Sequence, residues 1–195
     1  MAALSGALLG ATVVFGVETA RMWGTLLGVP TGPPGPPVRP TGQVTPCLAG
    51  STCMNPDGLP QEQRRLIALV TGERHRAGCK PVQLDARLEQ AAQDHAQAIV
   101  TTGHPSHTDT QQRTPQDRAE AAGYHGRVRE TLAAGVQVPE EVMDLWLDAT
   151  VDPSLRPRIN DCSAISIGVG HSPARANDAY GPGIWILLLG RPESR

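Results

Sequence analysis

The 195 residues include 21 glycines and 18 prolines, are 39% apolar and 18% charged, and carry a formal charge of −2. That apolar share suits one folded domain and excludes wholesale disorder. A weakly acidic chain without a polybasic run or aromatic–basic interleaving lacks the electrostatic footprint of a nucleic-acid binder, so no nucleic-acid partner is expected.

Residues 2–17 form an uncharged run of 16 residues that ends at Glu18. A secretory apolar region takes about 7–15 residues and a bilayer span about 20, so the run lies between the two. Residues 1–20 are expected to act as a signal peptide or signal-anchor, although no Lys or Arg precedes the run. The rest of the chain is then secreted or anchored on the outer face of the cytoplasmic membrane, meeting the membrane only through this segment. Seven prolines follow within residues 29–46, where fixed φ angles and missing amide donors exclude a helix or a paired strand. Residues 21–59 therefore read as a Pro/Gly-rich linker with a small cysteine loop. Only four of the 36 charged side chains fall in residues 1–58, so the folded domain is expected over residues 60–191.

Within it, Leu59-Pro60 opens a helix carrying Leu66, Leu69 and Val70 and ending at Gly78. Asp85 caps a second helix whose apolar stripe runs through Leu88, Ala91, Ala92, His95 and Ile99 to Gly103. His95, on that stripe, reads as a hydrogen-bonded core residue. Thr114 and Pro115 start a third helix that Gly123 stops. Val128 to Leu132 alternates like a strand. Pro139-Glu140-Glu141 opens a fourth helix with acids at the positive end of its dipole, and Val142, Leu145, Trp146 and Ala149 supply its buried face. Ile165 to Gly170 and Gly183 to Leu189 read as adjacent antiparallel strands joined by loop 171–182. Helices around a small, largely antiparallel sheet make an α+β domain.

The four cysteines, Cys47, Cys53, Cys79 and Cys162, lack the CxxC spacing of a structural zinc site. Behind an export signal they are expected to form disulfides. Of the three connectivities, the favoured one joins Cys47 to Cys53 in a short loop and Cys79 to Cys162 across the domain.

The landmarks Leu66 to Gly78, Leu84-Asp85-Ala86-Arg87-Leu88, Ala91 to Ala96, Ser106-His107-Thr108, Arg113 to Arg118, Ala122-Gly123-Tyr124, Glu130 with Ala133-Ala134-Gly135, Pro139 to Val142 with Trp146, and Ile167 to Gly170 occur in an order that resembles the CAP superfamily (cysteine-rich secretory proteins, antigen 5, pathogenesis-related 1). The resemblance is to its bacterial SCP-like extracellular form and covers residues 62–190. It implies an α–β–α sandwich and a cleft where two histidines and one or two glutamates bind a divalent metal in some members. His107 matches the first histidine and Glu130 the first glutamate. Leu155 stands where the second histidine would be, and Ala149 where many eukaryotic members have a second carboxylate. The metal set is thus reduced to His107 and Glu130, which would need help from water, His104 or Asp109 to hold a metal, so no cofactor is expected and any divalent metal would be held weakly.

These readings favour a non-enzymatic binding or interaction module of the cell envelope, with a degenerate metal cleft and a small ligand, lipid or envelope protein as partner. The alternatives are a secreted, protease-like hydrolase with Ser106 or Ser163 as nucleophile, and a lipid or sterol carrier. No Gly-x-Ser-x-Gly or HExxH frames the hydrolase reading, and adjacent Glu140 and Glu141 cannot face each other across a glycoside.

Overall fold

The computed structural model describes residues 56–174 and 180–191. The signal or anchor, the proline-rich linker and the Cys47–Cys53 loop expected from the sequence lie outside these residues. The described elements are α1 (Gln61–Arg76), β1 (Gln83–Leu84), α2 (Ala86–Thr102), α3 (Pro115–Ala121), β2 (Arg127–Ala134), α4 (Pro139–Leu147), α5 (Leu155–Ile159), β3 (Ser166–Pro173) and β4 (Gly183–Arg191). Among them, no helix is long and apolar enough to cross a membrane.

The helix starts follow local chemistry. The Asp85 carboxylate accepts from the Arg87 amide at the head of α2, and Gly103, at φ 68°, ends it in the left-handed region with its amide donating to the Ile99 carbonyl. Thr114 and Asp117 form a reciprocal capping box on α3, with Pro115 in the first turn.

The strands form one sheet in the order β1-β3-β4-β2; β1 runs parallel to β3, and the other pairs are antiparallel. β4 is flanked on both edges and buried on both faces, which is why its sequence is nearly all apolar rather than alternating. Ile184, Ile186 and Leu188 pack with Leu88, Ala92, Ala96 and Ile99 of α2 and with Ala119 of α3. Trp185, Leu187 and Leu189 pack with Leu66 and Val70 of α1, Val142 and Trp146 of α4, and Ile159 of α5. The result is a three-layer α–β–α sandwich. In β3, Ile167 and Val169 serve the α1–α4 side. Gly168 and Gly170 point at α2, where a Cβ would fall inside the backbone at Leu88–Glu89 or Ala92–Gln93. Glycine at these two positions lets the helix backbone lie directly on the sheet.

Cys79 and Cys162 are joined. The same stretch is gripped from within by buried Arg74, whose guanidinium donates to the carbonyls of Ile159 (2.6 Å), Asp161 (3.0 Å) and Ala164 (2.8 Å). Removal from water pushes the Arg74 pKa down, only partly offset by nearby Asp161.

Three local expectations need correction. Ala149 is exposed and lies beyond α4, because the Asp148 carboxylate accepts from the Thr150 amide (2.8 Å) and hydroxyl (2.7 Å) and turns the chain away; Met143 joins the buried face instead. β3 continues to Pro173, shortening the connection to β4. The two-residue β1 and five-residue α5 were not anticipated, being too short to display a period.

Candidate functional site

β2 is an edge strand with successive side chains on opposite faces. Glu130 lies opposite Leu188, so its carboxylate points to the α2–α3 side, where it is 4% exposed. Arg118, on the inner face of α3, donates from Nη2 to Glu130 Oε2 at 2.6 Å. Its other terminal nitrogen donates to the carbonyls of His107 (3.0 Å) and Arg113 (2.8 Å). Arg118 thus ties the loop carrying His107 to the sheet.

That loop is held in shape by Asp109, whose carboxylate accepts from the Gln111 and Arg113 amides (2.9 Å each) and from Arg113 Nε (2.8 Å). Burial raises the Asp109 pKa, but these hydrogen bonds and the Arg113 charge outweigh it and hold the carboxyl below its usual value. His107, with its side chain 54% exposed, donates from Nδ1 to Glu130 Oε1 at 2.8 Å. With Nδ1 so engaged, Nε2 is left as the outward nitrogen.

His95 completes the cluster from below. It is buried, with Nε2 at 2.9 Å from the Ser106 carbonyl and 3.8 Å from Glu130 Oε1. A carbonyl accepts only, so Nε2 carries the proton, and Nδ1 is left buried without a hydrogen-bond partner. Burial lowers the His95 pKa, with Glu130 opposing and Arg118 reinforcing the shift. His95 has the buried, hydrogen-bonded environment of a core histidine, and it also adjoins the central carboxylate.

Above this cluster an open depression of about 230 Å³ is lined by His107, Pro115, Arg129, Glu130 and Arg158. The structure therefore brings His107 and Glu130 together. Leu155, at the start of α5, is half-buried against the α1–α4 core and does not line the depression. Arg158, one turn later, does, donating from Nη1 to the Glu130 carbonyl at 3.2 Å.

This donor set does not fit a divalent cation. Each carboxylate oxygen of Glu130 already accepts a hydrogen bond, from His107 or Arg118, the Asp109 carboxylate is engaged by its own loop, and the His95 nitrogen facing Glu130 is protonated, which leaves His107 Nε2 as the one open nitrogen donor of this set. Two guanidiniums line the opening, and among the described residues no group of three or more His, Cys, Asp or Glu converges. His107–Glu130 does have the form of an oriented imidazole, but neither serine considered as nucleophile engages it. Ser106 Oγ accepts from the Thr108 amide at 3.1 Å, and Ser163 donates to Asp161 Oδ1 at 2.6 Å. Glu140 pairs with Arg65 at 2.6 Å on the surface, away from this cluster.

Sequence reasoning missed Arg118, Arg129 and Arg158 as parts of the site. Only Arg118 left a trace, as a charged residue on the inner face of a short capped helix.

Among known families, residues 67–188 match the model for "CAP: Cysteine-rich secretory protein family". The uncharacterized protein YkwD of Bacillus subtilis (strain 168) is 25% identical over 122 residues, which cover 62% of this chain and 46% of that protein. The match therefore spans less than half of that relative's length. An outer surface protein from Borrelia burgdorferi superposes with a TM-score of 0.59 at 19% identity, covering 73% of this chain and 99% of that one. An extracellular protein containing an SCP domain from Bacillus anthracis str. Ames superposes with a TM-score of 0.57 at 16% identity, covering 67% of this chain and 40% of that one. At these identities the structural likeness is one of fold.

Proposed function

The chain belongs to the cysteine-rich secretory protein (CAP) family, and we propose that it is an exported binding module of the cell envelope whose cleft recognises a ligand without turning it over. The observation that carries this reading is the state of Glu130. Its oxygens are committed to Arg118 and His107, so the carboxylate holds the cleft together instead of offering itself to a metal or a substrate proton. Export is supported by the Cys79–Cys162 disulfide, which persists in oxidising compartments, and by the uncharged run at residues 2–17.

The full chain should show no tight zinc binding by calorimetry at neutral pH and no turnover of peptide, ester or glycoside substrates. Protein fractionated from its native cells under thiol blockade should be found outside the cytoplasm with Cys79 and Cys162 joined. Nanomolar zinc affinity lost in His107→Ala would overturn the degenerate-cleft reading. Turnover lost in the same variant would make the His107–Glu130 pair a general base.

A further inference from the structure

On the opposite face of β2 from Glu130 lies a second depression. Its charged lining is Arg127 and Arg129 of β2, Arg158 of α5, Arg191 of β4, and Asp161, with Ser163 beside them. Its volume is about 70 Å³, room for several waters or one tetrahedral oxyanion. Four arginines and one aspartate line it, in a chain whose formal charge is −2, and Arg158 also donates to the Glu130 carbonyl and the Ser154 hydroxyl. Asp161 is held ionised by the Ser163 hydroxyl and amide, with help from Arg129 and Arg191, so its charge is already committed. Arg129 Nε lies 3.5 Å from it.

The register sharpens the imbalance. Arg127 and Arg191 are directly opposed across the β2–β4 pair, where like charges are destabilising. Nothing in the packing of the sheet requires arginine at either exposed strand end. An anion between the two guanidiniums would turn this repulsion into attraction. The wall is also firm: Arg74 and the disulfide fix the segment that carries Asp161 and Ser163. Arg129 and Arg158 line both this depression and the one over His107 and Glu130, so the two adjoin at the edge strand.

We propose that this arginine-lined depression is an oxyanion site that takes a phosphate group of the ligand recognised by the cleft. The assignment rests on the binding-module reading above and names the ligand's chemical class. A planar carboxylate is satisfied by one bidentate guanidinium. A phosphate offers several acceptor oxygens in three dimensions and suits guanidiniums arriving from three different elements.

The test titrates the full chain with inorganic pyrophosphate at low ionic strength, by calorimetry and thermal denaturation. Citrate serves as the carboxylate probe, and Arg65→Gln as an arginine variant outside the depression. Saturable pyrophosphate binding is expected, weakening with added salt and at least tenfold weaker in Arg127→Gln/Arg191→Gln, while Arg65→Gln binds as the parent does. Pyrophosphate should raise the melting temperature of the parent and not of the double variant, which without ligand should melt no lower than the parent. Absence of saturable binding, or equal loss in Arg65→Gln, overturns the site. Citrate binding as tightly with the same variant sensitivity overturns the phosphate assignment. Each of these failures leaves the module reading standing, because zinc affinity and turnover at His107 decide that separately.

Discussion

Replacing Glu130 by leucine tests the pivot of the cleft. The carboxylate is nearly inaccessible and its main partner, Arg118, is 5% exposed, so Glu130→Leu strands a buried guanidinium beside an apolar side chain. Breaking a buried pair from one side costs about 3–5 kcal/mol, mostly the penalty of the charge left behind. With a urea dependence of about 2 kcal/mol/M for a domain of this size, the unfolding midpoint should fall by roughly 2 M. Arg118→Met strands the carboxylate instead and should cost about as much. The double variant removes both charges, so its loss should be smaller than the sum of the single losses by at least about 2 kcal/mol. Urea titrations followed by far-UV circular dichroism on the four proteins measure all of this. A single-variant cost below about 1 kcal/mol, or additivity within about 0.5 kcal/mol, would refute the assignment of Glu130–Arg118 as the tie between loop and sheet.

Other consequences are equally measurable. Gly168→Ala should destabilise by about 1–3 kcal/mol, because the new methyl meets helix backbone that cannot step aside, and thermal denaturation should show it; an unchanged melting temperature would mean that α2 is not seated on β3. Removing the disulfide with Cys79→Ala/Cys162→Ala releases a crosslink between residues 83 apart in sequence and should cost about 4–5 kcal/mol in the loop-entropy account. Denaturant titration should locate that loss, and adding reductant should reproduce it in the parent. Burial lowers the pKa of both His95 and His171, so the unfolded chain takes up protons near pH 6.5 while the native state resists them. Stability present above about pH 6.5 should therefore be lost as pH falls through that value, with a lower melting temperature at about pH 5.5 than at about 7.5. His95→Gln should flatten that slope, and a parent that melts equally at both values would contradict the burial argument.

The fold was legible where chemistry is local. Asp85 and Gly103 bound α2, Thr114 and Pro115 start α3, and the apolar stretch from Gly183 reads as a strand buried on both faces. β1 and α5 were not legible, because each is held by distant partners: β1 by its pairing with β3, and α5 by Arg74, which lies more than 80 residues from the carbonyls it grips. The site divides in the same way. His107 and Glu130 could be named from the resemblance, His107 within Ser106-His107-Thr108 and Glu130 by its place ahead of Ala133-Ala134-Gly135, although Arg129 and Thr131 flank it where the family has Gly and Asn. The arginines could not, because Arg127 and Arg129, Arg158, and Arg191 meet only through strand register and the placement of α5. Composition gave a mildly acidic chain without a basic run, and the local cationic surface is assembled entirely in three dimensions.

The Cys79–Cys162 bond joins the end of the first helix to the stretch just before the last two strands. A protease that nicks the backbone anywhere between those two cysteines would separate neither fragment from the other. A single such cut would be invisible on a denaturing gel until the sample was reduced, because both fragments stay joined through the one bond.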